Sequence, residues 1–214
     1  MTAPAHLVTG GRPAAVTRAR RLNRLTLGWN VVEGVVALGA GMAAGSVSLI
    51  GFGLDSVIEV SASLALAWRL HQEGRGGCMA EYDRRATRAI AVSFAALAGY
   101  VWFQATRDLL GGAEPEASVV GVVLAAVSLA VMPVLARAKR RLAPALGSRA
   151  AASEADQTRL CALLSAVVLV GLGLNAVLGW WWADPVAALA LGVVAAGEAV
   201  RTWRADALED TCCP

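Results

Sequence analysis

Apolar and polar positions along this chain fall into long blocks. Six apolar blocks run Leu25–Gly45, Leu49–Leu70, Thr87–Leu110, Val119–Ala136, Leu160–Trp180 and Pro185–Trp203. Each approaches the roughly 20 residues an α-helix needs to cross a bilayer core. The pattern predicts an all-α integral membrane protein with six transmembrane helices. The polar gaps alternate in kind. Those after the first, third and fifth blocks are short (AAGSVS, GGAEPEAS and WWWADP), and those after the second and fourth are longer and basic. The blocks divide the chain into a basic N-terminal segment (1–24), a transmembrane domain (25–203) and a short tail (204–214).

Charge orients these segments. Of the 19 Lys and Arg residues, all but Arg107 fall before the first block, around the second and fourth gaps, or after the last block. Basic loops stay on the cytoplasmic side, so both termini are expected to be cytoplasmic. The net charge of +3 then needs no nucleic-acid partner. Charged residues make up 16% of the chain, against about 25% in soluble domains, which leaves little of it outside the bilayer. No short apolar run with a small-residue cleavage site precedes Leu25, so the first block is read as a retained helix. The location expected is the cell (inner) membrane, multi-pass. Trp180, Trp181 and Trp182 mark the outer interface, and Asp184-Pro185 reads as a helix start with Asp as N-cap.

Against this background two carboxylates stand out. Asp55 and Glu59 lie inside the second block, four residues apart, and so project from one helix face. A carboxylate at membrane depth costs about 2.5–3.5 kcal/mol on insertion scales, which points to metal or proton traffic. The fifth block carries Gln157 and Cys161, again four apart. Helices two and five run antiparallel, so Asp55, Glu59, Gln157 and Cys161 can converge. Two carboxylates, an amide oxygen and a thiolate suit a tetrahedral site for a divalent cation.

These residues resemble the motifs of the cation diffusion facilitator family of six-helix metal/proton antiporters. The helix-five pattern of that family looks like A-D-A-x-H-T-R-S-D, and this chain reads Ser153-Glu154-Ala155-Asp156-Gln157-Thr158-Arg159-Leu160-Cys161. Gln157 stands where His is usual and Cys161 where Asp is usual. Gly51 to Glu59 lies over the helix-two motif, with Asp55 and Glu59 at its two ligand positions. The Trp-Trp-Ala-Asp-Pro run opening helix six is also similar. The resemblance, over Leu25 to Trp203, implies a cation-diffusion-facilitator-like bundle. It further implies export of a divalent transition metal, with zinc favoured, in exchange for protons, and a homodimer in the lipid bilayer. No organic cofactor is expected. The family's C-terminal cytoplasmic domain is expected to be missing, as is a histidine-rich loop, the only histidines being His6 and His71. A non-transporting metal sensor or modulating subunit is the alternative reading. No nucleophile elbow, phosphate loop or HExxH motif supports an enzyme.

Other polar residues have lesser or open roles. Asn30 and Glu33 share a face of helix one near the level of Asp55. Ligation, second-shell or proton-coupling work and interhelical bonding are all open to them. Glu154 and Asp156 could attract cations at the inner mouth, and Asp156 could replace Gln157 as a ligand. Asn175 reads as an interhelical bond. Arg107 with Asp108, and Glu198 with Arg201, read as ion pairs. Cys212-Cys213 in the tail reads as a plain chain end, a metal-capture site or a lipidation site. Gly41 and Gly45 form a GxxxG match, and Pro133 can kink helix four. At ~1.5 Å per residue, Asp55 lies about 15 Å below Gly45 and Cys161 about 28 Å below Trp180. The site therefore requires a tilted fifth helix or an opening toward the cytoplasm.

Overall fold

A computed structural model describes the backbone of residues 12–72, 80–112, 114–146 and 149–206, and the side chains of 17–64, 88–112, 114–142 and 155–204. Six helices follow in order: α1 (Arg12–Ala44), α2 (Val47–Gln72), α3 (Ala80–Gly111), α4 (Val119–Leu146), α5 (Arg149–Leu178) and α6 (Ala183–Asp206). All six are long and apolar enough to cross a membrane. Neighbouring helices form a closed ring in the order α1, α2, α3, α6, α5, α4, and α2 also packs on α5 and α6 across the middle. This central place explains why 67% of the α2 span is buried.

The helices overrun their apolar blocks at the inner side. α1 begins within the segment read as 1–24, α4 continues past Ala136, and α5 starts well before Leu160. Hydropathy marks where lipid ends, whereas a helix continues for as long as its backbone hydrogen bonds do. α4 also runs through Pro133 without interruption.

Lipid allows apolar side chains on the outside of the bundle as well as in its core. Leu25, Val35, Met42, Val119, Val170 and Val193 are exposed on the outside of the bundle. The buried face of α1 instead carries Asn23, Thr26, Asn30 and Glu33 at helical spacing. Asn23 Nδ2 donates to the Ser63 carbonyl on α2 at 3.1 Å. In hydrocarbon, polar groups must be satisfied inside the protein, so the polar stripe of α1 turns toward its neighbours.

At the outer side, local chemistry sets the helix ends. α1, α3 and α5 are each followed by a glycine with φ near +65°: Gly45, Gly112 and Gly179. This left-handed position ends a helix at little cost only when no Cβ is present. Gly45 therefore serves the turn, while Gly41 meets the Ile50 backbone, and the GxxxG spacing is not one packing motif. Ser46 Oγ accepts from Leu49 N and Ser118 Oγ from Gly121 N, both at 3.1 Å, capping α2 and α4.

Asp184 is not the N-cap of α6. It lies inside the first turn of that helix and caps α2 instead. Its carboxylate accepts from Ser46 Oγ at 2.6 Å, Val47 N at 3.0 Å, Ser48 N at 3.4 Å and Ser48 Oγ. One buried anion thus faces the positive N-terminal ends of two helices. Asn175 likewise bonds a loop, donating to the Pro115 carbonyl at 2.9 Å, and not another helix. Trp180 and Trp182 stack with ring centroids 5.1 Å apart.

Losing the Asp184 carboxylate leaves buried donors unpaired at the start of α2. Asp184→Ala is expected to destabilise the bundle by about 2 kcal/mol or more, with Asp184→Asn intermediate. Thermal unfolding of the purified protein in mild detergent checks this, and an unchanged midpoint in Asp184→Ala contradicts it.

Candidate metal site

The inner half of the bundle holds a buried polar cluster drawn from four helices. Its centre is Glu33 on α1, which is 0% exposed. Ser56 Oγ of α2 donates to Glu33 Oε2 at 3.1 Å, and Ser128 Oγ of α4 donates to Oε1. Cys161 Sγ of α5 lies 3.7 Å from Oε2 in donor geometry. Trp29 Nε1 donates to Ser128 Oγ at 3.3 Å, extending the network along the α1–α4 seam.

Glu59 on α2 accepts from Asn30 Nδ2 at 2.7 Å. The amide oxygen of Asn30 is buried and has no hydrogen-bond partner among the described residues. An unpaired oxygen beside a carboxylate lacks a proton or a cation to satisfy it. Asp55 is buried one turn above Glu59. Asp55, Glu33, Glu59 and Cys161 all feel one another electrostatically, and Glu198 of α6 acts on Asp55 as well.

The depth mismatch in the sequence disappears because α5 rises above its neighbours. Glu116 N donates to the Ala44 carbonyl, and Asn175 bonds the adjacent Pro115. Asn175, not Trp180, is therefore level with the end of α1. Counting from that level at ~1.5 Å per residue, Glu33 lies about 16 Å down, Cys161 about 21 Å and Glu59 about 20 Å.

Of Asp55, Glu59, Gln157 and Cys161, Cys161 touches Glu33, Asp55 and Glu59 are buried within electrostatic reach of it, and Gln157 is buried one turn farther toward the inner side. Gln157 makes no hydrogen bond to Asp55 or Glu59 among the described residues. Its neighbour Asp156 is half-exposed and pairs with Arg140 Nη2 at 2.6 Å. The Glu154 side chain and Cys212-Cys213 lie outside the described residues. Among the described residues, no three His, Cys, Asp or Glu side chains are gathered in the geometry of a metal site. The carboxylates of Glu33 and Glu59 are engaged instead by hydroxyls and by Asn30. The two outlying ion pairs form, Arg107–Asp108 at 3.7 Å and Arg201–Glu198 at 3.3 Å.

Sequence reasoning missed Lys139. As part of a basic run it reads as a topology signal, yet it is buried, its Nζ donates to Thr158 Oγ1 at 3.1 Å, and its charge acts on Glu59. A usable signal was present. Lys139 and Ser128 are eleven residues apart, three full helical turns, and so share the inward face of α4. Ser56 and Ser128, which hold Glu33, carry no charge, and no spacing rule joins residues on three different helices.

The bundle thus buries several acids and a thiol between six helices long and apolar enough to cross a membrane. Residues 86–209, more than half of the chain, match the cation efflux transmembrane domain, and the chain belongs to that family. It is accordingly a multi-pass membrane protein of a transporter family. It is 26% identical over 182 residues to the uncharacterized transporter sll1263 of Synechocystis sp., a match covering 81% of this chain and 58% of that protein. The chain thus spans less than two thirds of that relative's length. The family match includes Gln157 and Cys161 but begins after α2, so Asp55 and Glu59 lie outside it.

The fully buried Cys161 thiol should resist alkylation. In a background with Cys78, Cys212 and Cys213 changed to Ser, Cys161 is expected to label with a polar maleimide only after denaturation. Glu33→Ala, which opens a space beside the sulfur, should allow labelling of the folded protein. Rapid labelling of the folded parent would contradict the packing around Glu33.

Proposed function

We propose that this protein exports a divalent transition metal, with zinc favoured, from the cytoplasm in exchange for protons. The observation that carries the reading is that Glu33, Asp55, Glu59 and Cys161 are all buried in the bundle interior within electrostatic reach of one another, with the unpaired Asn30 oxygen on the side chain that bonds Glu59. Membership of the cation efflux family supports it. Asp55, Glu59 and Cys161 act as ligands, with Gln157 one turn nearer the cytoplasm on the entry path. Glu33 holds the thiol in place and Asn30 holds Glu59.

Ligand chemistry favours zinc over magnesium or calcium. A thiolate is a soft donor that Mg²⁺ and Ca²⁺ do not select, whereas Zn²⁺ takes sulfur and carboxylate oxygen together. Carboxylates and thiols bind metal in their deprotonated form, so metal entry releases protons and proton entry releases metal. Charge balance points the same way. With every acid ionised, the carboxylates of Glu33, Asp55 and Glu59 and the Cys161 thiolate stand against the Lys139 ammonium, a formal net charge of −3. A divalent cation reduces this to −1 and protonation of the acids reduces it further, so either kind of cation lowers the charge held in hydrocarbon.

Proteoliposomes loaded with a zinc-sensitive dye test the proposal. Zn²⁺ uptake is expected when the lumen is the more acidic side, so that protons leave as Zn²⁺ enters, and collapsing that gradient should reduce the uptake. Asp55→Ala and Glu59→Ala should each lower it roughly tenfold or more. Zn²⁺ binding without flux would identify a sensor. Full flux in both variants would remove these carboxylates from the path.

A further inference from the structure

On the outside of the bundle, α4 and α5 enclose a groove of about 370 Å³. Its wall steps down α4 through Leu129, Pro133 and Arg140, and in the reverse direction along α5 through Ala166, Ala162 and Ala155. The eleven steps along the helix from Leu129 to Arg140 span about 16 Å, close to half of a ~30 Å hydrocarbon core. The groove therefore has the length of one leaflet. Its deep end is apolar, and its inner end is ringed by Arg137, Arg140 and Arg159.

The three guanidiniums are exposed, and one of them is partly neutralised. Arg140 pairs with Asp156, whereas Arg137 and Arg159 have no ion-pair partner among the described residues. At ~100° per residue, the groove face of α5 lies on the opposite side of the helix from Gln157 and Cys161. The groove is thus separate from the polar cluster and opens to lipid.

We propose that this groove binds one anionic phospholipid of the inner leaflet, with an acyl chain along the Leu129–Ala166 end and the phosphate between Arg137 and Arg159. Charge complementarity selects the occupant. An uncharged apolar partner would leave two guanidiniums unpaired, and a zwitterionic lipid offers them a phosphate already balanced by its own cation. A planar fork of donors also suits phosphate oxygens, and basic pockets between helices at the cytoplasmic face are suited to anionic headgroups. A lipid held here would brace α4 against α5, the two helices that supply Ser128, Lys139 and Cys161 to the cluster.

Native mass spectrometry of the full chain, purified in mild detergent with phosphatidylglycerol or phosphatidylcholine added, tests the site. Phosphatidylglycerol should be retained in preference to phosphatidylcholine, and inorganic phosphate should not displace it. The R137Q/R159Q double variant should weaken its retention by about thirtyfold. R204Q, an exposed inner arginine elsewhere, should leave it unchanged. Ala166→Phe, which fills the deep end and keeps all three arginines, should also weaken it. Equal retention of the two lipids, or phosphatidylglycerol retention unmoved in R137Q/R159Q, overturns the proposal. So does a dimer that dissociates in R137Q/R159Q without retained lipid, since a second copy would then fill the groove.

Discussion

A carboxylate that reaches no solvent must be satisfied by protein, and in this bundle that constraint falls on Glu33. Its two oxygens accept from Ser56 and Ser128 and face the Cys161 thiol. One side chain of α1 thereby touches α2, α4 and α5. Van der Waals packing alone leaves apolar helices free to slide, because lipid tails are as apolar as the helix surfaces. A polar node of this kind is directional. It fixes the depth at which α5 meets α1, α2 and α4.

A second clamp sits at the other end of the molecule. Asp184 joins the start of α6 to the start of α2, and the Ala44–Glu116 and Pro115–Asn175 bonds tie the α3–α4 loop to α1 and α5. The outer ends are thus locked by hydrogen bonds, while the inner half holds ionisable groups that can change partners. At the packing level the close approaches are also toward the outside. Gly192 on α6 leaves room for the Trp102 indole, whose Nε1 donates to the Leu189 carbonyl at 3.2 Å. Rigid outer contacts around a polar inner cluster would let the inner half rearrange about a fixed frame.

Much of the fold was legible because the bilayer imposes a simple code. Block length gives six helices, whereas the helix-ending roles of Gly45, Gly112 and Gly179 and the capping roles of Ser46 and Ser118 emerge only with the backbone. Asp55 and Glu59 stood out because charge at that depth needs a reason. The inner helix ends were not legible, since hydropathy is silent once a helix leaves lipid. Asp184 was misread because a local pattern describes the nearest helix, whereas its carboxylate reaches residues more than a hundred positions away. Lys139 was hidden by its neighbours, as one inward ammonium in a basic run looks like the rest. Glu33 was noticed, but its place at the centre depends on Ser56, Ser128 and Cys161, three contacts that no spacing rule joins.

The proposed function requires that Cys161 and the carboxylates around it bind one cation. X-ray absorption at the zinc edge reads this directly in protein carrying Cys78, Cys212 and Cys213 as Ser. One sulfur at about 2.3 Å among oxygen or nitrogen neighbours at about 2.0–2.2 Å is the predicted shell, with the sulfur lost in Cys161→Ser and the oxygen count lowered in Glu59→Ala. A zinc shell without sulfur, unchanged by either substitution, would place the metal elsewhere and contradict the account.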